Sequence, residues 1–399
     1  MKYSFRWYGP KDPVKLTDIR QSNANYIVTS LHQIPTGEKW GFTDVENRIN
    51  LINKSNNDYA NKLKWNVVES IPVHNDIKLR KNNFKKYIAN YKDTIVNIAK
   101  NKIPIICYNF MPIIDWTRTQ LDFKLPTDGL ALRFSFIHII IFEKYILKLD
   151  DLENRYSHDL LSEASQQYKM MTNNDLDNLK FSVMGGLPAA EKKYTIEEFK
   201  EMLLSYKNID NDELKNNFSE FLKEIIPVAE ENNIKMALHP DDPPISLFGL
   251  PRIVSNQKDY QFVLDQYKSH NNGITFCTGS LGSNINNNIY EMFNNFKDKI
   301  HFIHLRNITI EKDNISFMES DHLEGDINFV KIINMILNEE KIRKNNIEDY
   351  EIPMRPDHGH CLLDDQHKKL NPGYSCIGRM KGLAEIRGII KSVNSANFN

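Results

Sequence analysis

Eight short apolar runs rich in β-forming residues recur along the chain, each followed by a turn and usually by a helical pattern. They are Tyr3–Trp7, Tyr26–Ser30, Trp65–Ser70, Ile103–Asn109, Lys235–His239, Ile274–Thr278, His301–Arg306 and Ile352–Asp357. Strands that alternate with helical segments are typical of a parallel α/β sheet, and eight such units close a (β/α)8 barrel. A doubly wound open sheet is the alternative, but no glycine-rich phosphate loop follows any of the runs. We therefore predict an α/β protein with a (β/α)8 TIM barrel.

Most of the residues in excess of those that a barrel needs lie between the fourth and fifth runs. The chain has 399 residues, whereas a typical barrel uses about 250. Residues Asp210–Asn233 end this gap as an amphipathic helix with a capping-box start. The preceding segment, Met111–Ile209, is predicted to be a helical insertion, with a second capped helix at Thr195–Tyr206. We expect one TIM-barrel domain over residues 1–399, with the insertion at 111–209 inside it.

Charge and cysteine content exclude several classes of protein. The 51 Lys+Arg and 52 Asp+Glu residues leave a net charge of −1, which gives no basic surface field for nucleic acid. Four cysteines are too few for a disulfide scaffold and fit a reducing compartment. The most apolar stretch, Phe134–Ile141, is far shorter than the roughly 20 residues of a membrane span, and no signal peptide is apparent. We predict a soluble cytoplasmic protein without a membrane or nucleic-acid partner.

The last four runs each carry, at or near their carboxyl end, a side chain that binds metal ions well. These residues are His239, Cys277, His304 and Asp357. In a parallel barrel the carboxyl ends of all strands meet at one rim, so the four side chains should converge. A single buried His or Cys is usually a packed core residue, but donors at four successive strand ends favour a joint site. His301 begins its strand, so His304 is the better ligand. The pattern predicts a divalent-metal site.

The ligand types restrict the ion. A thiolate disfavours Mg²⁺ and Ca²⁺, which prefer oxygen donors. Two imidazoles, a thiolate and a carboxylate suit Zn²⁺, Fe²⁺ or, less comfortably, Mn²⁺. Catalysis also needs coordination positions open to substrate, which favours Fe²⁺ or Mn²⁺ over a closed tetrahedral zinc site.

Polar residues suited to a small, acidic, hydroxylated substrate follow the same strand ends. They are Arg306, Asn307, Arg355, His358, His360 and Tyr374. Guanidinium groups bind carboxylates through two parallel hydrogen bonds, although Arg355 could equally pair with a carboxylate of the barrel. The two histidines are candidate general acids or bases, and Tyr374 is a candidate proton donor.

Motifs at nearly every strand end resemble those of the mannonate dehydratase family. The similarity runs from Phe5 to about Arg387. The motifs are Phe5–Gly9, Ile27–Ser30, Val67–Ser70, Cys107–Pro112 with Asp115–Arg118, His239–Pro244, His304–Asn307, Arg355–His360 and Asn371–Tyr374 with Ile377–Arg379. Enzymes of that family have a TIM-barrel fold and dehydrate D-mannonate to 2-keto-3-deoxy-D-gluconate in hexuronate catabolism, using Mn²⁺ or Fe²⁺.

The resemblance implies a role for each matching residue. It implies that the four strand-end donors are the metal ligands, and that His358 and Tyr374 are the catalytic acid/base pair, in an order left open. Asn109, Asp115 and Arg118 become candidate substrate contacts beside Arg306, Asn307 and Arg355. The expected partner is a small sugar acid. Exposed barrel helices make a homo-oligomer, with a dimer as the simplest case, a further expectation.

Three other functions fit parts of the pattern. An aldose–ketose isomerase would use a carboxylate-rich ligand set, which Cys277 argues against. A hydrolase similar to AP endonucleases would need several metals and a basic surface facing DNA. A non-enzymatic binding protein could use the four donors as a structural zinc site, and would then lose its fold in a Cys277→Ser variant.

Overall fold

Eight parallel strands form a closed barrel in the computed structural model, which describes residues 1–57, 59–185, 194–345 and 349–396. Numbered with all strands in chain order, the barrel strands are β1 (Lys2–Arg6), β2 (Tyr26–Thr29), β3 (Lys64–Glu69), β4 (Ile105–Tyr108), β7 (Lys235–Leu238), β8 (Asn272–Cys277), β9 (Ile300–Leu305) and β12 (Pro353–Pro356). Their order around the barrel is β1-β12-β9-β8-β7-β4-β3-β2. Each strand overlaps one of the predicted runs, so the predicted barrel is confirmed.

The helices lie between these strands and in the long gap after β4. In the described residues they are α1 (Leu16–Gln21), α2 (Phe42–Lys54), α3 (Asn75–Leu79), α4 (Phe84–Lys100), α5 (Phe136–Ile141), α6 (His158–Met170), α7 (Asn173–Gly185), α8 (Ile196–Ser205), α9 (Asn211–Glu231), α10 (Gln257–Gln266), α11 (Thr278–Gly282), α12 (Ile289–Phe296), α13 (Phe329–Lys344) and α14 (Cys376–Ala396). Helix α5 continues as a π-helical turn, Phe142–Leu147. Across the part of the chain that the structure describes, no helix has the length and apolar character needed to cross a membrane.

Helix α9 leads into β7 and forms as its sequence predicts. The Asp210 side chain caps it by accepting a hydrogen bond from the backbone N–H of Glu213 at 2.8 Å. Its apolar face is fully buried and packs against α4, whose ring of Tyr91 lies edge-on to Phe221. This face holds the helix against the barrel and brings the chain back to the next strand.

Apolar side chains fill the inside of the barrel. Val28, Val67, Ile105, Ala237 and Phe302 are buried in one cluster contributed by five strands. Alternate residues of each strand point inward, so a packed interior leaves no channel and confines open space to the rim.

A second sheet stands beside the carboxyl ends of the barrel strands. It is antiparallel, in the order β10-β11-β6-β5, with β5 (Gln120–Lys124), β6 (Leu130–Phe134), β10 (Asn307–Ile310) and β11 (Phe317–Ser320). Strand β10 begins two residues after β9, whereas β5 and β6 come from the segment after β4. The two halves meet where Phe134 pairs with Phe317, whose rings stack 5.5 Å apart.

The segment 111–209 is not purely helical, because two strands of this sheet belong to it. The segment contains helices α5 to α8, and the predicted cap of α8 at Thr195 is present. It also contains the hairpin β5–β6, which the helical prediction missed because strands this short and partly exposed carry little periodic signal. Residues 186–193 of the segment lie outside the described residues.

Candidate active site

The four strand-end donors converge at the rim of the barrel. Strands β7, β8, β9 and β12 are consecutive neighbours, so the residues at their ends lie side by side. His239 Nε2 is 3.1 Å from His304 Nδ1, and the donor atoms of these residues and Cys277 all lie within 4.8 Å of one another. Asp357 Oδ2 is 3.9 Å from both Cys277 Sγ and His304 Nδ1. His239, Cys277 and His304 are therefore close enough to share one ion, and the Asp357 carboxylate lies beside two of them.

The hydrogen bonds of the two imidazoles direct their lone pairs toward this point. His239 Nδ1 lies 2.7 Å from the carbonyl oxygen of Pro240, an acceptor, so Nδ1 carries the proton and Nε2 does not. His304 Nε2 is buried without a hydrogen bond among the described residues and faces Glu69 Oε2 at 3.5 Å. A proton on this Nε2 leaves Nδ1 free. Two imidazole lone pairs 3.1 Å apart repel each other, and a cation between them removes that conflict.

The charges and hydrogen bonds around three of the donors favour metal binding. Burial opposes ionisation of Asp357, but neighbouring positive charge, above all that of Arg355, outweighs it and lowers the pKa of the carboxyl well below its usual range. Burial lowers the pKa of His239, which favours the neutral imidazole that binds metal. The hydroxyl of Ser280 donates to Cys277 Sγ at 3.2 Å and orients the sulfur. The donor set thus fits a divalent cation.

A cavity of about 480 Å³ opens beside the donors. Its wall includes His239 and Asp357, together with five of the other predicted site residues: Asn109, Asp115, Arg355, His358 and Tyr374. The Asn109 amide donates to Asp115 at 3.1 Å, so these two side chains form one polar patch after β4. This volume is suited to a single small molecule.

The predicted acid/base pair lies on the same wall. The rings of His358 and Tyr374 meet edge to face with centroids 5.2 Å apart. Burial, and then the charge of Asp357, raises the pKa of Tyr374, so its hydroxyl keeps its proton. His358 Nδ1 lies 2.9 Å from Glu319 Oε1, and Nε2, the other ring nitrogen, lies 3.7 Å from Oδ1 of Asp357. The pair therefore offers one hydroxyl proton and one imidazole nitrogen to the cavity.

Gly359 lets the chain turn between the two neighbouring histidines. A Cβ at this position would lie 2.4 Å from the backbone nitrogen of Arg379, so a side chain does not fit. His358 consequently faces the cavity, while His360 turns to β11 and lies 2.9 Å from the backbone oxygen of Glu319. His360, also a candidate acid or base in the sequence, is thus placed against the small sheet.

Three of the predicted substrate contacts lie in a buried network behind the wall. Arg118 donates to Asp242 at 2.9 Å and to Glu319 at 2.8 Å, and Arg306 donates to Asp242 at 2.6 Å. Asn307 donates to the backbone oxygens of the loop that follows β11. All three are at most 1% exposed. Arg355 does line the cavity, but both Glu69 and Asp357 occupy its guanidinium.

Several residues of the site had no assigned role in the sequence. Arg6, Glu69 and Asp242 lie at or just after strands β1, β3 and β7, where the strand-end rule applied to all eight strands would have found them. Glu319 carries no such signal, because it reaches the site only through the pairing of β11 with β10 and β6.

Four residues of the cavity wall bury a polar atom that has no hydrogen-bond partner among the described residues. The atoms are Nε and Nη1 of Arg6, Nε2 of His32, the hydroxyl of Tyr108 and Nε1 of Trp116. Burying such a group unsatisfied costs about 1–3 kcal/mol. Burial lowers the pKa of His32 to about 3, so this imidazole is neutral. These groups are available to hydroxyls or carboxylate oxygens of a bound molecule.

Comparison with known proteins gives consistent matches over the whole chain. The family model for D-mannonate dehydratase matches residues 1–399. A mannonate dehydratase from Marinomonas sp. (strain MWYL1) is 45% identical over 389 residues, and one from Saccharophagus degradans is 42% identical over 395, each covering 98% of both chains. The crystal structure of mannonate dehydratase from Streptococcus suis serotype 2 matches with a TM-score of 0.75 at 32% identity, over 100% of this chain and 95% of that one.

Proposed function

This chain belongs to the D-mannonate dehydratase family and catalyses the dehydration of D-mannonate, and we propose that it does so with a divalent metal at the rim of its barrel. The ligands are His239, Cys277, His304 and Asp357, and the product is 2-keto-3-deoxy-D-gluconate, formed in hexuronate catabolism. The observation that carries the proposal is the convergence of these four donors beside a cavity lined by His358 and Tyr374.

The donor set favours Mn²⁺ or Fe²⁺ as the ion. A thiolate among the ligands disfavours Mg²⁺ and Ca²⁺, and a site that must also accept substrate favours ions that take five or six ligands. When bound, such an ion supplies a positive charge that stabilises the anion developing on the substrate carboxylate as the C2 proton leaves.

The residues of the chain account for both proton transfers. The C2–H bond breaks and its electron pair forms a C2–C3 double bond, while the C3–O bond breaks and the hydroxyl leaves as water. We assign acceptance of the C2 proton to His358, whose Nδ1 contacts the Glu319 carboxylate and whose Nε2 makes no hydrogen bond among the described residues and lies 3.7 Å from Oδ1 of Asp357. Protonation of the leaving hydroxyl is assigned to Tyr374, because its raised pKa keeps it protonated. The resulting enol then becomes the 2-keto product.

The rest of the cavity wall supplies groups for the substrate hydroxyls. Asn109 and Asp115 form a polar patch on the loop after β4, and Arg355 contributes positive charge near the ligands. Arg6, His32 and Trp116 add the unpartnered polar atoms described above. A polyhydroxylated acid is suited to this wall, since each buried unsatisfied group gains a partner when substrate binds.

A metal-dependent panel of sugar acids tests the proposal. Purified protein is stripped with chelator, reloaded with Mn²⁺ or Fe²⁺, and assayed for 2-keto-3-deoxy acid formation from D-mannonate, D-gluconate and D-altronate. We expect activity on D-mannonate that chelator abolishes and either ion restores. Full activity after thorough metal removal contradicts the metal-dependent mechanism. Higher activity on another sugar acid contradicts the assignment of D-mannonate as the substrate.

A further inference from the structure

Glu319 contacts His358 on the side away from the cavity. Its Oε1 lies 2.9 Å from Nδ1 of the imidazole, and both side chains are at most 4% exposed. Glu319 lies on β11 in the small sheet, outside the barrel strands that carry the metal donors. It therefore approaches the proposed base from a separate structural element.

We infer that Glu319 is a positioning residue that holds His358 as the proton acceptor, an inference that rests on the proposed function. A carboxylate that is ionised can only accept hydrogen bonds. Its contact with Nδ1 therefore places the imidazole proton on that atom and leaves the lone pair on Nε2. The same contact fixes the ring's rotation and leaves Nε2 on the opposite edge of the ring, 3.7 Å from Oδ1 of Asp357.

The surroundings of Glu319 keep it ionised. Burial by itself raises the pKa of this carboxyl, but the charges of Arg306 and Arg118, together with the hydrogen bond from His358, outweigh burial and lower the pKa to about 2. Arg118 donates to Glu319 Oε1 through Nη2 at 2.8 Å and Nε at 3.3 Å. Arg306 Nε lies 3.5 Å from the other oxygen, Oε2.

Asp242 holds the two arginines in turn. It accepts from Arg118 at 2.9 and 3.2 Å and from Arg306 at 2.6 Å. The chain of contacts runs from Asp242, near the ligand His239, through the arginines to Glu319 and then to His358. The two arginines thus stabilise the carboxylate of Glu319, which orients His358. This is a role for guanidinium groups that do not line the cavity.

A double-mutant cycle separates this role from a general structural one. Glu319→Gln keeps the size of the side chain but removes its charge. We expect kcat for D-mannonate to fall about 10- to 100-fold, the range for removing a group that orients a functional histidine, with KM and bound metal nearly unchanged. If Glu319 acts only through His358, the same substitution in a His358→Gln background changes kcat by less than about twofold.

A matched control comes from the same small sheet and its turn. Glu311 binds Arg133 through two hydrogen bonds of 2.5 and 2.7 Å, and it makes no contact with His358. Glu311→Gln should leave kcat at the wild-type value. Thermal unfolding and metal content, measured for every variant, identify any loss of folded holoenzyme.

Two results overturn the inference. One is a wild-type kcat for Glu319→Gln, and the other is an equal fall in kcat whether or not His358 is present. If Glu319→Gln does not fold or loses its metal, Glu319→Asp decides, because it keeps the negative charge but shortens the side chain and so moves the acceptor oxygen away from His358. A lowered kcat only in the presence of His358 supports the inference, and an unchanged kcat overturns it.

The cycle also distinguishes this inference from the proposed function. A wild-type kcat in His358→Gln overturns the assignment of His358 as base, and the inference about Glu319 falls with it. A large loss in His358→Gln together with no loss in Glu319→Gln leaves the proposed function in place and rejects only the positioning role.

Discussion

The guanidinium of Arg355 binds the carboxylate of Glu69 side-on, with Nη2 donating to Oε1 at 2.8 Å and Nε donating to Oε2 at 3.0 Å. Its remaining nitrogen, Nη1, donates to Asp357, one of the four proposed metal ligands. Arg355 thus ties this residue, which directly follows β12, to the end of β3, and it restrains the Asp357 carboxylate.

Replacing Arg355 should therefore weaken metal binding. Lysine retains the charge but cannot bridge the two carboxylates, so we expect Arg355→Lys to lower affinity for Mn²⁺ about 10- to 100-fold. Titration of the stripped protein against a chelating dye measures this. Arg343→Lys is the control, since Arg343 pairs with Glu339 on α13 at 2.9 Å. Unchanged Mn²⁺ affinity in Arg355→Lys would show that Asp357 needs no such restraint.

Cys277→Ser distinguishes a catalytic metal centre from a structural zinc site. Cys277 is fully buried at the end of β8 and contacts Ser280. Serine is a poorer ligand for a soft ion, so we expect dehydratase activity and bound metal to be lost. The barrel has a large core independent of the ion, so circular dichroism should show a folded protein. Global unfolding of the variant would instead indicate a structural role for the metal.

Trp116→Phe tests whether the cavity wall binds substrate hydroxyls. The Nε1 proton of Trp116 is buried without a partner in the described residues, and the ring lies edge-on to His358 with centroids 5.9 Å apart. Removing one neutral hydrogen bond of about 1 kcal/mol raises KM for D-mannonate about fivefold. Trp65→Phe is the matched control, because the Trp65 indole donates to the backbone of β3. Equal KM values for the two variants would argue against a hydrogen bond from Trp116 to substrate.

His322 makes the stability of the fold depend on pH. Burial lowers its pKa to about 4, against about 6.5 in an unfolded chain, so the unfolded state takes up the proton first. The contribution of neutral His322 is complete above pH 6.5 and is lost as the pH falls from there toward 4. Relative to pH 7.5, this single group should cost about 2 kcal/mol of unfolding free energy at pH 5.

Urea unfolding with chelator present, at pH 7.5 and pH 5, measures this loss. His322→Gln can keep a donor to the backbone oxygen of Leu305, which His322 Nε2 approaches at 2.9 Å. The variant should lose less stability on acidification than the wild type. His158→Gln, at a fully exposed position, should behave as the wild type does. The same acid loss in His322→Gln as in the wild type would assign the effect to other groups.

The barrel and its donors were predictable because their signals are local. Each strand is a short apolar run, and a residue such as His304 lies on the rim because it is near the carboxyl end of its strand. The small sheet had no such signal, because Phe134 pairs with Phe317 across a large part of the chain. Pairings of that kind depend on tertiary packing that a one-dimensional pattern does not contain.

The arginines illustrate a second limit. The sequence placed Arg118 and Arg306 near the rim, which is where they lie, but it could not show that Asp242 and Glu319 already occupy them. A guanidinium near a substrate cavity binds the carboxylate that the fold places within hydrogen-bond distance. The identity of that carboxylate depends on tertiary packing, so it is known only from the folded structure.

The alternation of side chains along β11 has a consequence for how the chain tolerates insertions and deletions. Phe317 and Glu319 point to one face and are buried, while Met318 and Ser320 point to the other and are half-exposed. A slip of one residue in this strand would turn the carboxylate outward and present Met318 or Ser320 to His358. The turn between β10 and β11 does not line the cavity, but its length sets the register of β11. A change in that length would therefore move Glu319 away from His358.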